Sequence, residues 1–241
     1  MFPIRDLNPT RIVPIVTLGL IVVNVLVFAL WQPQGAESEQ LEFLYENAAV
    51  ACELTTGDAL TATEIASGEC RDAPGQAAFP GKNIWVAALV SMFLHGNLLH
   101  LLGNMWFLWI FGNNVEEAYG IVSYLAVYLL AGLVGTIGFI AFNGDATEPL
   151  VGASGAIAGV LGAYLVLYPN HQILTLVFLF FVPIPALLFL GIWFIGQFNI
   201  GEVGVAWEAH VAGFLFGVVV TAVMRDFFLE RVRRLHATTA A

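Results

Sequence analysis

The chain has 241 residues, of which 59% are hydrophobic and 11% are charged, and its formal net charge is -10. Soluble globular domains carry roughly 25% charged residues, so this composition excludes an ordinary soluble domain. We therefore predict a polytopic membrane protein.

The basic residues of the chain lie mainly near its two ends. No lysine or arginine occurs between Lys82 and Arg225. Arg5 and Arg11 precede the first apolar run. Four arginines follow the last one: Arg225, Arg231, Arg233 and Arg234. By the positive-inside rule, both termini are predicted to be cytoplasmic, and the number of membrane spans is predicted to be even.

Six apolar runs are predicted to be membrane helices, for which about 20 residues are needed. In chain order they are residues 13–31, 97–113, 121–142, 151–167, 186–198 and 205–224. The first is read as an uncleaved signal anchor, because no small-residue cleavage site follows it. Pro183 and Pro185 interrupt the apolar stretch before the fifth helix, since proline breaks helices. Residues 173–184 are therefore predicted to be a partly buried connector.

The predicted fold class is all-α, a bundle of six transmembrane helices. Residues 1–12 form a cytoplasmic N-terminus, residues 13–225 form the membrane domain, and residues 226–241 form a cytoplasmic tail. We expect the lipid bilayer as a partner and no nucleic acid. The sequence leaves the oligomeric state open.

A long hydrophilic insertion, about residues 32–83, forms the predicted first external loop. It holds nine carboxylates against two bases. A loop of this length in a compact fold is usually functional or a small subdomain. The loop also holds Cys52 and Cys70. A disulfide between them and two unpaired thiols are both compatible with the sequence, because spacing alone does not bring the Cα atoms together.

Four polar side chains are predicted near the external ends of helices two, four and six. With a rise of about 1.5 Å per residue, Ser154 lies about 5 Å and His210 about 8 Å from the start of its predicted helix. His100 and Asn104 lie about 5 and 10 Å into helix two. Polar groups in hydrocarbon are costly unless they pair, so side chains at similar depth on one side of the membrane predict a functional site.

The residue types in this group indicate acyl transfer. A serine hydroxyl needs a neighbouring base to become a nucleophile, and histidine suits that role near neutral pH. We interpret His210 as the base for Ser154. The reaction develops an oxyanion that preorganised donors stabilise. His100 and Asn104, at i and i+4 on one helix face, are the predicted donors together with the backbone N–H of Ser154.

Glycines near these residues predict close packing of two helices. Gly152 and Gly155 leave room for a close approach of the backbone around Ser154. Gly213 and Gly217 belong to a small-residue face on helix six, of the kind that lets membrane helices pack tightly. Such packing of helix four on helix six would bring Ser154 near the histidine of helix six.

The order and spacing of these motifs resemble the rhomboid family of intramembrane serine proteases. The matching elements are Gly-x-Ser-Gly at residues 152–155, Ala-His-x-x-Gly-x-x-x-Gly at 209–217, and His-x-x-x-x-His-x-x-x-Asn at 95–104. The Gly-x-x-x-Glu-Glu-x-x-Gly segment at 112–120 is similar to the family's turn after the second helix. The resemblance covers residues 13–224.

The resemblance implies a serine endopeptidase that cleaves single-pass membrane proteins in or near their transmembrane segments, close to the external face. It implies Ser154 as nucleophile and His210 as general base, in a dyad without an acidic third member. His100 and Asn104 would line the oxyanion hole with the backbone N–H of Ser154. No cofactor and no metal are expected. The expected location is the plasma (inner) membrane of a bacterium, as a multi-pass protein with both termini in the cytoplasm.

One departure from the family concerns the support of the predicted base. Many members have an aromatic residue four positions after the serine that packs on the histidine ring, and this chain has Ala158 there. Another side chain must therefore hold His210, or its ring is looser.

Several ionisable residues near the motifs are predicted to be structural. Glu116 and Glu117 are expected to cap the inner end of helix two and fix the following turn. His95 is expected to be structural, because a spacing of i to i+5 places it off the His100 face. Glu208, two residues before the predicted base, lies on a different helix face and is not expected to orient it.

Two other functions remain open from the sequence. A catalytically inactive relative would bind membrane-protein clients, although such proteins lose the serine or the histidine and both are present here. A transporter would use intramembrane histidines as a proton relay or metal site, but the chain has no His-Glu-x-x-His pair.

Overall fold

The computed structural model of the chain describes residues 1–71, 75–198 and 205–238, and most of these are helical. The helices are α1 (Ile15–Leu26, continued by a π-helical turn over Val27–Trp31), α2 (Glu37–Asn47), α3 (Ala51–Thr56), α4 (Ala62–Ser67), α5 (Ile84–Val90), α6 (Leu98–Tyr119), α7 (Ile121–Phe142), α8 (Ser154–Leu167), α9 (Ala186–Gly196) and α10 (Trp207–Thr238). The strands are β1 (Phe2–Asp6), β2 (Ala49–Val50), β3 (Pro149–Leu150), β4 (Gln172–Val177) and β5 (Phe180–Pro185).

These strands correct the all-α prediction to a mostly helical fold. β1, β4 and β5 form an antiparallel sheet in that order, with Phe2 opposite Leu176 in the first pair. β2 and β3 form a second, two-stranded sheet in which Ala49 pairs with Leu150. Both sheets join segments far apart in sequence, and strands this short leave little periodic signal.

The predicted connector at residues 173–184 is a β-hairpin formed by β4 and β5. Its two prolines are in β5, which is an edge strand, and proline is tolerated at sheet edges because no ladder hydrogen bond is lost. The hairpin is partly buried, as predicted, with Ile173, Thr175 and Ile184 buried. At its tip Phe178, which has a φ of 53°, is 91% exposed and Leu179 is 87% exposed.

Among the described residues, two helices are long and apolar enough to cross a membrane, Ile121–Phe142 and Trp207–Ala237. Ile84–Phe93 and Leu98–Tyr119 pass the same test together but are bent by 75°. Three apolar helical segments are shorter: Ile15–Trp31, Ser154–Leu167 and Ala186–Gly196. The predicted count of six spans is therefore not confirmed by length. A helix of 14 residues such as α8 rises only about 21 Å, against about 30 Å of hydrocarbon.

The predicted boundaries of the apolar helices hold in part. Helix α7 coincides with its predicted range of 121–142. Helix α8 begins at Ser154, three residues later than predicted, so Ser154 is its first residue and not one about 5 Å inside. Helix α10 continues past Arg225, where the apolar pattern ends, because polar residues with good helix propensity sustain it. The described part of the predicted tail is thus helical.

Helix α8 lies at the centre of the bundle, packed against α6, α7 and α10. Every residue from Gly155 to Tyr164 is buried. The Tyr164 ring meets Phe111 of α6 edge to face, with the centroids 5.1 Å apart. Such an aromatic pair adds about 0.5–1.5 kcal/mol beyond its buried area. Helix α8 is therefore surrounded by other helices, beginning with its first turn.

The predicted external loop forms a small folded unit of its own, built from α2, α3 and α4. A disulfide joins Cys52 of α3 to Cys70, with the Cα atoms 5.8 Å apart. Helix α4 begins with a capping box, in which Thr61 accepts from the Glu64 N–H and the Glu64 carboxylate accepts from the Thr61 N–H. We call residues 37–71 the external subdomain.

A buried ion pair connects the external subdomain to the membrane helices. The Lys82 ammonium lies against the Glu53 carboxylate, and both side chains are almost fully buried. Lys82 also donates to the Tyr45 carbonyl at 2.7 Å. Burial lowers the pKa of Lys82, and the Glu53 partner offsets part of that effect. Removing one member of such a pair leaves a buried, uncompensated charge.

The opposite end of the bundle is organised around Glu116 and Glu117, in a way that differs from the prediction. The Glu116 carboxylate accepts from the N–H groups of Val16 and Thr17 at 2.9 and 2.8 Å, so it caps α1 rather than α6. The Glu117 carboxylate accepts from the Arg11 N–H and contacts His236 at 3.1 Å. The turn after α6 instead depends on the glycine at position 120, whose φ is 77°. The spacing of the two glutamates could not show these partners, because they come from distant segments.

Candidate active site

The Ser154 hydroxyl lies at the N-terminus of α8, next to a glycine that the backbone requires. Gly152 has a φ of 123°, a conformation that L side chains rarely adopt. A Cβ atom added there would lie 2.8 Å from Cε1 and Nε2 of His100 and 3.5 Å from Ser154 Oγ. The His100 imidazole and the Ser154 hydroxyl therefore lie near the same backbone position, and a larger residue there would displace the imidazole.

The backbone around Ser154 also suits a developing negative charge. The first N–H groups of a helix have no acceptor within that helix, and Ser154 is the first residue of α8. The aligned peptide dipoles add partial positive charge at this end. The Gly152 N–H, by contrast, donates to the Ser91 carbonyl at 3.0 Å, which ties the loop before α8 to the segment before α6.

His100 and Asn104 enter the site from the first turns of α6. The Asn97 side chain caps this helix by accepting from the His100 N–H at 2.9 Å, so the backbone at His100 is held firmly. Asn104 is 8% exposed, and its Nδ2 atom has no hydrogen-bond partner among the described residues. A buried donor without an acceptor costs about 1–3 kcal/mol, so it invites a functional explanation.

His95 lies closer to this group than predicted. Its ring meets the His100 ring edge-on, with the centroids 5.2 Å apart. The prediction that His95 lies off the His100 face assumed that both residues are on one continuous helix. The chain instead bends by 75° between Phe93 and Leu98. The His95 backbone is held by Gln32, whose amide accepts from the His95 N–H at 2.9 Å and donates to its carbonyl at 2.8 Å.

Close contact between α8 and α10 brings His210 towards this group. Any Cβ on Gly213 would collide with the Gly155 carbonyl, and one on Gly217 would collide with the Gly159 carbonyl. A Cβ on Gly155 would meet the carbonyl oxygen of Ala209, next to His210, at 3.5 Å. The residue after Ser154 is thus packed against the residue before His210, as the glycine pattern predicts.

The His210 ring is held by residues that the motifs did not include. Its Nδ1 atom lies 2.7 Å from Oε1 of Gln197, at the end of α9. The Trp193 ring lies 6.4 Å away, centroid to centroid. Glu208 does not contact His210; its carboxylate accepts from Asn143 Nδ2 at 2.9 Å. The sequence signal for Gln197 was weak, since a single polar residue at a helix end is common.

The structure brings the predicted residues towards one region, but they are not all in contact with one another. His210 lies close enough to His100 for the two rings to interact electrostatically. The Ser154 hydroxyl forms no hydrogen bond to His210 or to any other residue within 1–71, 75–198 and 205–238. Catalytic hydrogen bonds are often long without substrate and shorten when it binds. The His100 imidazole lies beside the residue two before Ser154, the backbone next to His210 packs against Gly155, and the unpaired Asn104 amide is one turn along α6 from His100.

The external subdomain lies directly against the segment that leads into the site. β2 pairs with β3, which ends two residues before Gly152. The Ser91 hydroxyl accepts from the Ala49 N–H while the Ser91 carbonyl accepts from the Gly152 N–H. Ser91 therefore links the subdomain to the loop that leads to Ser154, the predicted nucleophile.

Comparison with known proteins identifies relatives of this chain. A family model described as a rhomboid domain matches residues 82–227. The human mitochondrial presenilin-associated rhomboid-like protein is 28% identical over 165 residues, which are 67% of this chain and 35% of that protein. Mitochondrial rhomboid protein 1 of Saccharomyces cerevisiae is 29% identical over 166 residues, 63% of this chain and 46% of that protein. Rhomboid protease GluP of Bacillus subtilis is 42% identical over 81 residues, 34% of this chain and 15% of that protein. The chain spans less than half the length of each of these three relatives.

Proposed function

The chain belongs to the rhomboid family, and from this membership we propose that it is an intramembrane serine protease. Its substrates would be single-pass membrane proteins, cleaved in or near their transmembrane segments. The structural observation that carries the proposal is that the Ser154 hydroxyl and the His100 imidazole both lie beside Gly152. The unpaired Asn104 amide, one turn further along α6, supports it.

In the proposed mechanism, Ser154 Oγ attacks the carbonyl carbon of the scissile peptide bond and His210 takes the hydroxyl proton. The oxyanion that forms is stabilised by the Ser154 N–H, His100 and Asn104, each donor being worth about 3 kcal/mol in a site shielded from water. When the intermediate collapses, the C–N bond breaks and His210 gives its proton to the leaving amine. Water then hydrolyses the acyl-enzyme by the same route.

We further propose that six apolar helices, α1, α6, α7, α8, α9 and α10, cross the membrane. Helix α8 is short, but it is surrounded by protein and need not match the hydrocarbon thickness by itself. Both termini would be cytoplasmic, and the external subdomain would face outward. The contacts of Glu117 with Arg11 and His236 support this topology, because segments near both ends of the chain meet at one end of the bundle.

The proposed site lies near the external face, where α6, α8 and α10 begin. A helical substrate hides its carbonyl groups in the backbone hydrogen-bond ladder, so we expect it to unwind locally before cleavage. We propose the plasma membrane of a bacterium as the location. The relatives include both mitochondrial and Bacillus proteins, so this assignment depends on the charge pattern and the oxidised external loop.

The proposal is tested with purified protein in liposomes that contain a single-pass reporter. Cleavage is followed by gel electrophoresis for the wild type, Ser154→Ala and His210→Ala. We expect cleavage by the wild type only. Glu208→Gln is a matched control, because Glu208 lies two residues from His210 but bonds to Asn143. Equal cleavage by the wild type and Ser154→Ala would overturn the proposal, and an uncleaved reporter would favour a client-binding relative.

A further inference from the structure

The Gln197 side chain joins the end of α9 to the imidazole of His210. Its Oε1 atom lies 2.7 Å from His210 Nδ1, a distance typical of a well-formed hydrogen bond. Gln197 follows directly on the last residue of α9, and the proposed catalytic group contains no residue from that helix. The contact therefore brings the end of α9 next to His210, the proposed base.

The orientation of the Gln197 amide follows from its second hydrogen bond. Its Nε2 atom donates to the Trp193 carbonyl, four residues earlier, at 2.9 Å. A backbone carbonyl can only accept, so it must face the NH₂ group of the amide. The amide oxygen then faces His210. Because that oxygen can also only accept, the proton on the His210 ring must be on Nδ1.

This contact determines which His210 nitrogen is available for chemistry. In a neutral imidazole one nitrogen donates and the other accepts. With Nδ1 protonated, Nε2 keeps the lone pair that can take the Ser154 proton. We propose that Gln197 is a positioning residue, which holds His210 in this tautomer and ring orientation. The proposal rests on the proposed protease function and adds a neutral amide as a third member behind the serine and histidine.

The other groups around His210 do not supply this hydrogen bond. Ala158 has only a methyl group, and the Trp193 ring lies 6.4 Å away. Glu208, the nearest carboxylate in sequence, accepts instead from the Asn143 side chain, directly after α7. His100 of α6 is a titratable residue close enough for its charge to act on that of His210. Among the described residues, Gln197 alone forms a side-chain hydrogen bond with the His210 ring.

The tautomer is measured directly by ¹⁵N NMR of histidine-labelled protein in detergent micelles, near pH 8. The His210 signals are assigned by their loss in His210→Gln. In the wild type we expect a protonated Nδ1 and an unprotonated Nε2. In Gln197→Met, a variant of similar length without an acceptor, we expect a mixture of tautomers. Glu208→Gln, the matched control, should keep the wild-type signals.

The catalytic consequence is measured as the pH dependence of reporter cleavage. For Gln197→Met we expect kcat to fall about tenfold with KM within about twofold, because one hydrogen bond to the base is lost rather than a substrate contact. Gln197→Glu keeps an acceptor and adds a negative charge. We expect it to restore most of kcat and to move the acidic limb of the kcat/KM profile about one unit towards higher pH. A residue needed only for folding would not move this limb.

The outcomes separate this inference from the proposed function. An unchanged His210 tautomer in Gln197→Met overturns the positioning role, whether or not the protein cleaves the reporter. An unchanged kcat in Gln197→Met, with normal cleavage by the wild type, also overturns it. A wild type that cleaves nothing, together with the expected change of tautomer, rejects the protease function but keeps the assignment of Gln197 as the residue that orients His210.

Discussion

At the scale of single residues, Asn104 stands out because its buried amide nitrogen has no hydrogen-bond partner among the described residues. Burying a donor without an acceptor lowers stability, and an apolar residue at position 104 would avoid that loss. An oxyanion that exists only during the reaction would supply the acceptor. The unpaired Asn104 donor is therefore consistent with a hydrogen bond to the oxyanion that forms only in the transition state.

We expect Asn104→Ala to lower kcat by about 10²-fold, with little change in KM and no loss of thermal stability, since no protein hydrogen bond is removed. Asn24→Ala is the matched control, because it truncates a buried amide that bonds within α1 to the Leu20 carbonyl. The control should leave kcat within about twofold. Reporter kinetics and thermal unfolding are measured for both variants. A drop in melting temperature as large for Asn104→Ala as for the control would favour a packing role.

Asp6 predicts a pH dependence of stability at the opposite end of the bundle. Burial raises the pKa of Asp6 from 3.8 to about 6, although the Asn8 N–H lowers it. The folded protein then binds more protons at this carboxyl than the unfolded chain does between about pH 4 and 6. Stability contributed by the protonated form is therefore lost as the pH rises through about 6.

The measurement is thermal unfolding of the wild type and Asp6→Asn from pH 4 to pH 7. We expect the melting temperature of Asp6→Asn to rise relative to that of the wild type over this range, because asparagine does not ionise. Asp58→Asn, on the external subdomain, is the control. Parallel pH profiles for the wild type and Asp6→Asn would contradict the expectation.

At the scale of elements, the contact between α8 and α10 decides whether the proposed dyad can form. Gly213 and Gly217 of α10 lie directly against the backbone of Gly155 and Gly159 on α8. Ser154 is one residue before Gly155 of this contact, and His210 is three residues before Gly213. Any separation of the two helices would therefore move the hydroxyl away from the imidazole.

Gly217→Ala should destabilise the protein by about 1–3 kcal/mol, because the added methyl group overlaps the Gly159 carbonyl. Gly19→Ala in α1 is the matched control. It also replaces a glycine inside a helix, but its Cβ meets nothing within 4 Å. The better helix propensity of alanine should leave the control as stable as the wild type or more so. Melting temperatures compare the two; equal values would show that α8 and α10 are not in close contact.

The disulfide of the external subdomain leads to a second prediction at this scale. Cys52 and Cys70 close a loop with a sequence separation of 18. A bridge over a loop of this size adds about 3 kcal/mol in the chain-entropy account. In the double variant Cys52→Ala and Cys70→Ala, we expect faster amide hydrogen exchange in residues 49–71, measured by mass spectrometry. Exchange in α7 is the internal control and should not change. Unchanged exchange in residues 49–71 would show that the subdomain is stable without the bridge.

At the scale of the whole molecule, the two sheets and the Glu117 contacts constrain the topology. β1 pairs with β4, so the N-terminal segment and residues 172–177 lie on one side of the bundle. β2 pairs with β3 at the other end, beside the external subdomain. One apolar helix, α8, separates β3 from β4 along the chain. The proposed topology requires the same grouping, with the N-terminus and the hairpin of β4 and β5 on one side and the external subdomain on the other.

Thiol labelling tests this topology, because the native cysteines are joined to each other. Ser38→Cys on the external subdomain and Leu179→Cys at the hairpin tip each add one exposed thiol. In right-side-out vesicles, we expect a membrane-impermeant maleimide to label Ser38→Cys at once. Leu179→Cys should be labelled only after the membrane is permeabilised. Labelling of Leu179→Cys in intact vesicles would contradict the proposed orientation.

The sequence alone determined the features that local patterns encode. Apolar runs located six apolar helices, including the extent of α7, because a helix in contact with hydrocarbon needs continuous hydrophobic residues. The motif around Ser154 and the i, i+4 pair of His100 and Asn104 were visible because their spacing on one element is short. The charge pattern also predicted which ends of the chain share a side, since insertion responds to arginine and lysine near the membrane.

The contacts between distant groups could be found only in the folded chain. Glu116 caps α1, the hairpin of β4 and β5 pairs with the N-terminus, and Gln197 bonds to His210. Each contact joins segments whose separation in sequence carries no periodic signal, and a single polar residue has many possible partners. The identity of the partner depends on how the helices pack. The missing aromatic at Ala158 could be read from the sequence, but the residue that holds His210 in its place could be found only in the folded chain.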